Sequence, residues 1–155
     1  MDDTPAPGGS RLDVGALSGI VGFHLARAVV TTRTAYERCI GKPFELKRAE
    51  FSLLMIVLAN EAVAPKRLAR ALAVTAPKLS LLLDGLQARG LITRQPNPND
   101  GRSQHVQLTA QGRKLAREAA AAAQPMEQQV AGPLTRAEHA MLIELLDKLT
   151  GHAAA

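Results

Sequence analysis

Few side chains in this sequence are spaced for catalysis. The four histidines, His24, His105, His139 and His152, stand far apart, and no His-x-x-x-His pair occurs. There is no glycine-rich phosphate loop and no Gly-x-Ser-x-Gly elbow. The single cysteine, Cys39, excludes an intrachain disulfide framework and a cysteine-based zinc cluster. No enzyme, metal site or cofactor is therefore expected. The chemistry on offer is electrostatic. Between Ala62 and Lys114 stand nine Lys/Arg (Lys66, Arg67, Arg70, Lys78, Arg89, Arg94, Arg102, Arg113 and Lys114) against two acids, Asp84 and Asp100, a balance of +7. The remainder has ten basic and twelve acidic residues, so this middle third carries more than the whole net charge of +5. Such a run is ordinarily a solvated face. On a suitable scaffold it is a phosphate-binding surface.

The elements that must position these cations follow from periodicity. At 155 residues and 46% hydrophobic, the chain has the size of one domain with a real core. Aromatics are 3% with no Trp, which argues against a single-strand binder that stacks bases. No run of about 18 apolar residues marks a membrane span. The start, residues 1–10, is acidic and Pro/Gly-rich without a basic, apolar leader, and reads as a disordered tail on a cytoplasmic protein.

Residues 11–40 read as one long helix, with Leu17, Ile20, Val21, Leu25, Ala28 and Val29 at three- and four-residue spacing, stopped by Gly41 and Pro43. At about 1.5 Å per residue it exceeds ~40 Å, too long for one small globule to cover, so a helix of another subunit is expected against it. Lys47 to Asn60 is apolar nearly all round and should be central. Pro65 opens a short helix with Leu68 and Leu72 facing in, and Val74 closes a tight turn. Thr75 is placed to cap the next helix, Ala76 to Arg89. There Leu79, Leu82, Leu83 and Leu86 form one buried stripe, Leu81 and Asp84 lie opposite, and Gly90 ends the helix. Two strands, Leu91–Gln95 and Gln104–Leu108, flank a turn-rich loop. Thr109 caps a helix through the alanine run 116–123, disturbed near Pro125. After Gly132-Pro133, Thr135 and Glu138 form a capping box for a last helix, with Met141, Leu142, Leu145, Leu146 and Leu149 on one side.

Helix, tight turn, helix and hairpin in that order make a winged helix-turn-helix, whose second helix enters the major groove of double-stranded DNA. The stretch 68–115 resembles the DNA-binding core of the MarR family of bacterial regulators. The wing signature Asp-x-Arg followed by Val-x-Leu-Thr appears as Asp100, Arg102, Val106, Leu108 and Thr109, and residues 82–92 (LLDGLQARGLI) resemble the end of the family's recognition helix. The resemblance extends over about residues 14–150. It implies a mainly α fold of about six helices with a two-stranded β wing. The parts would be a tail (1–10), an N-terminal dimerisation helix (11–44), a winged helix-turn-helix domain (45–114) and C-terminal dimerisation helices (115–155). It also implies a homodimer on a pseudo-palindromic operator, half-sites about 10 bp apart. The expected activity is transcriptional repression, relieved by a small effector held between the dimer part and the DNA-binding lobe.

The DNA-contact set is then Lys66, Arg67, Thr75, Ala76, Pro77, Lys78, Ser80, Leu81, Arg94, Asp100, Arg102 and Gln104. Lys66 and Arg67 should meet phosphates, with Lys78 and Ser80 at bases or phosphates. Arg94 is placed on the backbone and Arg102 in the minor groove, with Asp100 orienting an arginine. The family often carries Arg where Leu81 and Gly85 stand; a leucine there suits a thymine methyl, or is simply one exposed leucine. Ala73 replaces the glycine frequent in the family's turn, and is read as needing no positive φ. His24, Arg27 and Thr31 share a face of the first helix and, with Ser52, form the candidate effector site; Arg27 suits a carboxylate on an aromatic or acyl ligand, or an intersubunit ion pair. Cys39 does not match the early position of the sensing cysteine in the family's peroxide-responsive branch and reads as a spectator. Two other readings remain open: a winged helix that binds protein without an effector, and a DNA binder with no effector.

Overall fold

A computed structural model describes residues 12–97 and 100–151, and of residues 97 and 100–103 only the backbone. The tail over 1–10 and His152 lie outside the described residues. A short 3-10 turn, Gly15–Gly19, precedes α1, Val21–Tyr36. The single helix expected over 11–40 is thus broken at Ile20, which is extended (φ −95°, ψ 107°). Gly19 and Gly22 flank the break, where side-chain-free backbone gains little from staying helical. At the other end, Gly41 and Pro43 do not stop the helix. It continues through a π-helical turn, Glu37–Gly41, into α2, Lys42–Phe44. Pro43 is tolerated because it falls in the first turn of that segment. The stop comes at Glu45, in the left-handed region (φ 52°).

The helix α3, Arg48–Asn60, is central as expected, burying Leu53, Leu54 and Val57. It leads into a two-residue strand β1, Ala62–Val63, too short to register as a pattern in the sequence. Then come α4, Pro65–Ala71, and α5, Ala76–Ala88, with Leu79, Leu83 and Leu86 buried. The wing strands are longer than expected: β2, Ile92–Asn97, and β3, Asp100–Leu108. The sheet runs β1-β3-β2, all antiparallel, with Val63 opposite Val106 and Arg94 opposite Val106 on the other side. β2 is an edge strand, so Pro96 removes no necessary ladder bond. Helix α6, Ala110–Ala131, passes through Pro125 without a break. Pro125 and Ala121, four residues back, are both exposed, so water can reach the carbonyl that the proline leaves free. Thr135 and Glu138 cap α7, Arg136–Thr150, by the expected box.

The core belongs to the middle of the chain: Leu46, Leu54, Val57, Leu68, Leu83, Leu86, Leu91, Ile92, Val106 and Ala116 form one buried cluster. The turn between α4 and α5 is tight, with Val74 N–H donating to the Ala69 carbonyl (3.0 Å). It places Ala73 at φ 51°, so the position does take the left-handed conformation that favours glycine. An alanine there costs about 1–2 kcal/mol, which the surrounding packing offsets.

Tyr36 fixes the end of the N-terminal arm. Its hydroxyl donates to the Leu46 carbonyl (2.9 Å). Burial first, then the carboxylates of Glu37 and Glu50, push its phenol from 10.0 up to about 12. The folded state therefore favours the neutral phenol. That stabilisation is complete below pH 10 and fades as pH rises toward 12, amounting to ~3 kcal/mol. Tyr36 is the chain's one tyrosine, so ultraviolet phenolate absorbance follows it alone. We expect a midpoint near 12 in the folded protein and near 10 in denaturant. A folded midpoint near 10 would place the phenol in water.

Candidate nucleic-acid interface

The helix α5 presents two faces. The leucine stripe is inward, while Thr75, Ala76, Pro77, Lys78, Ser80 and Leu81 are all exposed, Leu81 to 74%. Thr75 occupies the N-cap position, but its side chain makes no capping hydrogen bond. No acid lies in the first turn, so the positive end of the helix dipole is uncancelled there. Lys66 and Arg67 stand exposed in the first turn of α4.

A groove of about 330 Å³ lies between α4, α5 and the wing strands. Lys66, Ala76, Ser80, Arg94 and Gln104 line it, so five expected contact residues from four elements converge. Thr75, Pro77, Lys78 and Leu81 are exposed on α5 but do not line this groove, nor does Arg67. Asp100 and Arg102 fall in β3; their side chains lie outside the described residues.

Two of the cations have internal partners. Arg94 pairs through Nη2 with the Asp84 carboxylate on α5, and its side chain is only 24% exposed. Its Nε is buried without a partner. It is a half-buried strand residue that ties the wing to α5, rather than a loop cation. Arg89 likewise turns inward, toward Glu50 on α3. Sequence spacing shows the charges but not these pairings, because both partners come together only in the folded lobe. Lys66, Arg67, Arg70, Lys78 and Lys114 remain as exposed cations.

The four expected effector residues are not gathered into one cavity. The His24 ring Nε2 lies 2.8 Å from the Ser18 carbonyl, and the Arg27 guanidinium sits over the Phe23 ring, 5.6 Å from its centroid. Ser52 is half-buried in α3. Only Thr31 among them borders the clefts between α1 and α6. One, of about 320 Å³, is also lined by Thr34, Arg38 and Gln129. The other, of about 380 Å³, is mostly apolar and reaches α7, with Glu127 and His139 paired at 3.0 Å. No short motif announces these clefts, since their walls come from helices about a hundred residues apart. Cys39 is a half-buried free thiol in the π-helical turn. Among the described residues no three metal-ligating side chains cluster, and no helix is long and apolar enough to cross a membrane.

Comparison with known proteins agrees with this arrangement. A family model described as "MarR family" matches residues 44–103, the span from α2 to the wing. The multiple antibiotic resistance protein MarR of Escherichia coli is 32% identical over 108 residues, covering 69% of this chain and 75% of that protein. A structure of the transcriptional repressor CouR bound to a 23-mer DNA duplex superposes with a TM-score of 0.81 at 30% identity, over 91% of this chain and 99% of that one. BpsR of Bordetella bronchiseptica, whose DNA binding is regulated by 6-hydroxynicotinic acid, gives 0.77 at 27% identity, over 91% and 98%.

Proposed function

This chain belongs to the MarR family of transcriptional regulators, and from that premise we propose that it is a dimeric repressor, released from a pseudo-palindromic operator by a small aromatic or acyl carboxylate. The observation that carries the reading is the outward face of α5: Lys78, Ser80 and Leu81 exposed at an uncapped helix start, with Lys66 and Arg67 beside it. In this reading α5 enters the major groove, where Lys78 and Ser80 meet bases or phosphates and Leu81 meets a thymine methyl. Lys66 and Arg67 hold phosphates, Arg102 enters the minor groove, and Arg94 supports the wing from its place beside Asp84. Arg27 and His24 anchor the effector's carboxylate. Support for that ligand class comes from BpsR, whose regulating ligand is an aromatic carboxylate.

The test is a mobility shift with duplex from upstream of the gene, in the presence of competitor DNA. We expect a specific shift whose log affinity falls linearly with log salt, at about −0.9 per phosphate contacted. Aromatic carboxylates should release the DNA from wild type and less readily from Arg27→Ala. A salt-independent shift would contradict the phosphate contacts. No shift at all would favour a winged helix that binds protein.

A further inference from the structure

The basic residue that closes the recognition helix does not face the groove side. Arg89 is the C-cap of α5. Its Nη1 donates to the Glu45 carbonyl (3.0 Å) and its Nη2 reaches the Phe44 carbonyl (3.4 Å). These two carbonyls end the helical arm that begins with α1, where the chain turns left-handed at Glu45. The same guanidinium lies 3.7 Å from Glu50, a buried carboxylate (8% exposed) that also accepts the Lys47 N–H at 2.7 Å. Two further bonds pin the same short segment: Tyr36 hydroxyl to the Leu46 carbonyl (2.9 Å), and Leu46 N–H to the Gly41 carbonyl (3.1 Å). One planar guanidinium thus joins the arm, the start of α3 and the end of α5, which a lysine's single ammonium cannot reproduce.

We propose that Arg89 is a positioning residue for operator binding: it fixes the pose of α5 against the N-terminal arm, and thereby the separation of the two recognition helices in a dimer. The inference rests on the function proposed above. The arms would join the two copies while each α5 reads a half-site, so the joint between them converts dimer geometry into half-site spacing. Arg89 would do this without touching a phosphate.

The experiment uses duplexes selected by the wild-type protein from a randomised pool, then lengthened or shortened by one base pair between half-sites. Wild type should discriminate sharply among spacings. Arg89→Met, which keeps the aliphatic stem, should bind the best spacing about tenfold more weakly and discriminate less, with an unchanged salt slope. Arg89→Lys should fall between. Glu50→Gln keeps an acceptor for Lys47 N–H and removes the charge facing Arg89; it should loosen spacing preference in the same direction, and serves if the methionine variant does not fold. A slope shallower by about 0.9 would show a lost phosphate contact and overturn the proposal. So would weaker binding with the spacing preference intact, which marks a merely structural role. Failure of wild type to select any duplex would instead overturn the DNA-binding reading beneath it.

Discussion

Gly112→Ala should cost roughly 3–5 kcal/mol of stability, enough to unfold much of a marginally stable lobe. A β-carbon at this position would stand 1.8 Å from the Leu91 carbonyl oxygen and 2.7 Å from its carbon. These are backbone atoms, so no side chain can swing away. Nor can the backbone retreat easily. The Leu91 carbonyl accepts the Thr109 N–H (3.1 Å), and the Gly90 carbonyl accepts the Thr109 hydroxyl (2.6 Å). That hydroxyl in turn accepts the Gly112 N–H (2.9 Å) as the cap of α6. Leu91 is itself a core residue whose N–H donates to the Leu86 carbonyl (3.0 Å). Relieving the clash breaks the cap, the strand junction or the packing of Leu91. Gly90→Ala is the internal control. Gly90 sits at φ 68°, and an added methyl would meet only the Gln111 side-chain oxygen, at 3.5 Å, so its cost is the backbone term alone, about 1–2 kcal/mol. Urea denaturation followed by circular dichroism ranks the two. Equal losses would mean that α6 is not seated on Leu91 as described.

The same junction shows what the sequence could disclose. A leucine stripe at three- and four-residue spacing states which side of α5 is inward whatever it packs against, and Leu79, Leu83 and Leu86 are indeed buried. The Thr135–Glu138 box is equally local, and it forms. Contacts between distant segments left no such trace. Gly112 looks like an ordinary glycine in a helix start until Leu91, from the preceding hairpin, is brought against it. Arg89 and Arg94 count as free cations until Glu50 and Asp84 arrive beside them. Ala73 adopts a left-handed turn because the packing of α4 on α5 demands it, against the preference of its own side chain. The DNA-contact set lies within about forty positions, and five of its members, Lys66, Ala76, Ser80, Arg94 and Gln104, line one groove. The effector set drew on one shared face of α1 and on the resemblance, and neither signal says which walls complete a cavity; within one chain His24 and Arg27 contact their own arm.

Leu145→Lys should raise the dimer dissociation constant by about 10²–10³-fold, and operator binding at low protein concentration should fall by a similar factor. The helix α7 buries none of its residues within one chain, and Met141, Leu142, Ile143, Leu145 and Leu149 are all exposed, Leu145 to 53%. On α1 and the turn before it, Leu17, Ile20, Val21, Val29 and Val30 are exposed as well. Of the exposed large hydrophobics outside these two ends and Leu134 in the corner before α7, the described residues include only Leu81, on the outward face of α5, and Leu12, at the chain's start. The middle lobe is therefore complete in itself, whereas the terminal helices are not. Burying one leucine is worth about 1.5–3 kcal/mol, and a row of them gains that only against another apolar surface. In the proposed dimer that surface is the same pair of helices from a second copy. A lysine in the seam would face an apolar neighbour with its charge uncompensated. The lobe's core, formed by residues 46–119, does not include Leu145, so its thermal transition should persist in the variant. Loss of operator affinity would then reflect lost bivalence, and raising the protein concentration should restore binding. Sedimentation across a dilution series, paired with a mobility shift, separates these effects. A variant that stays dimeric and binds like wild type would mean that the seam lies elsewhere than on α7.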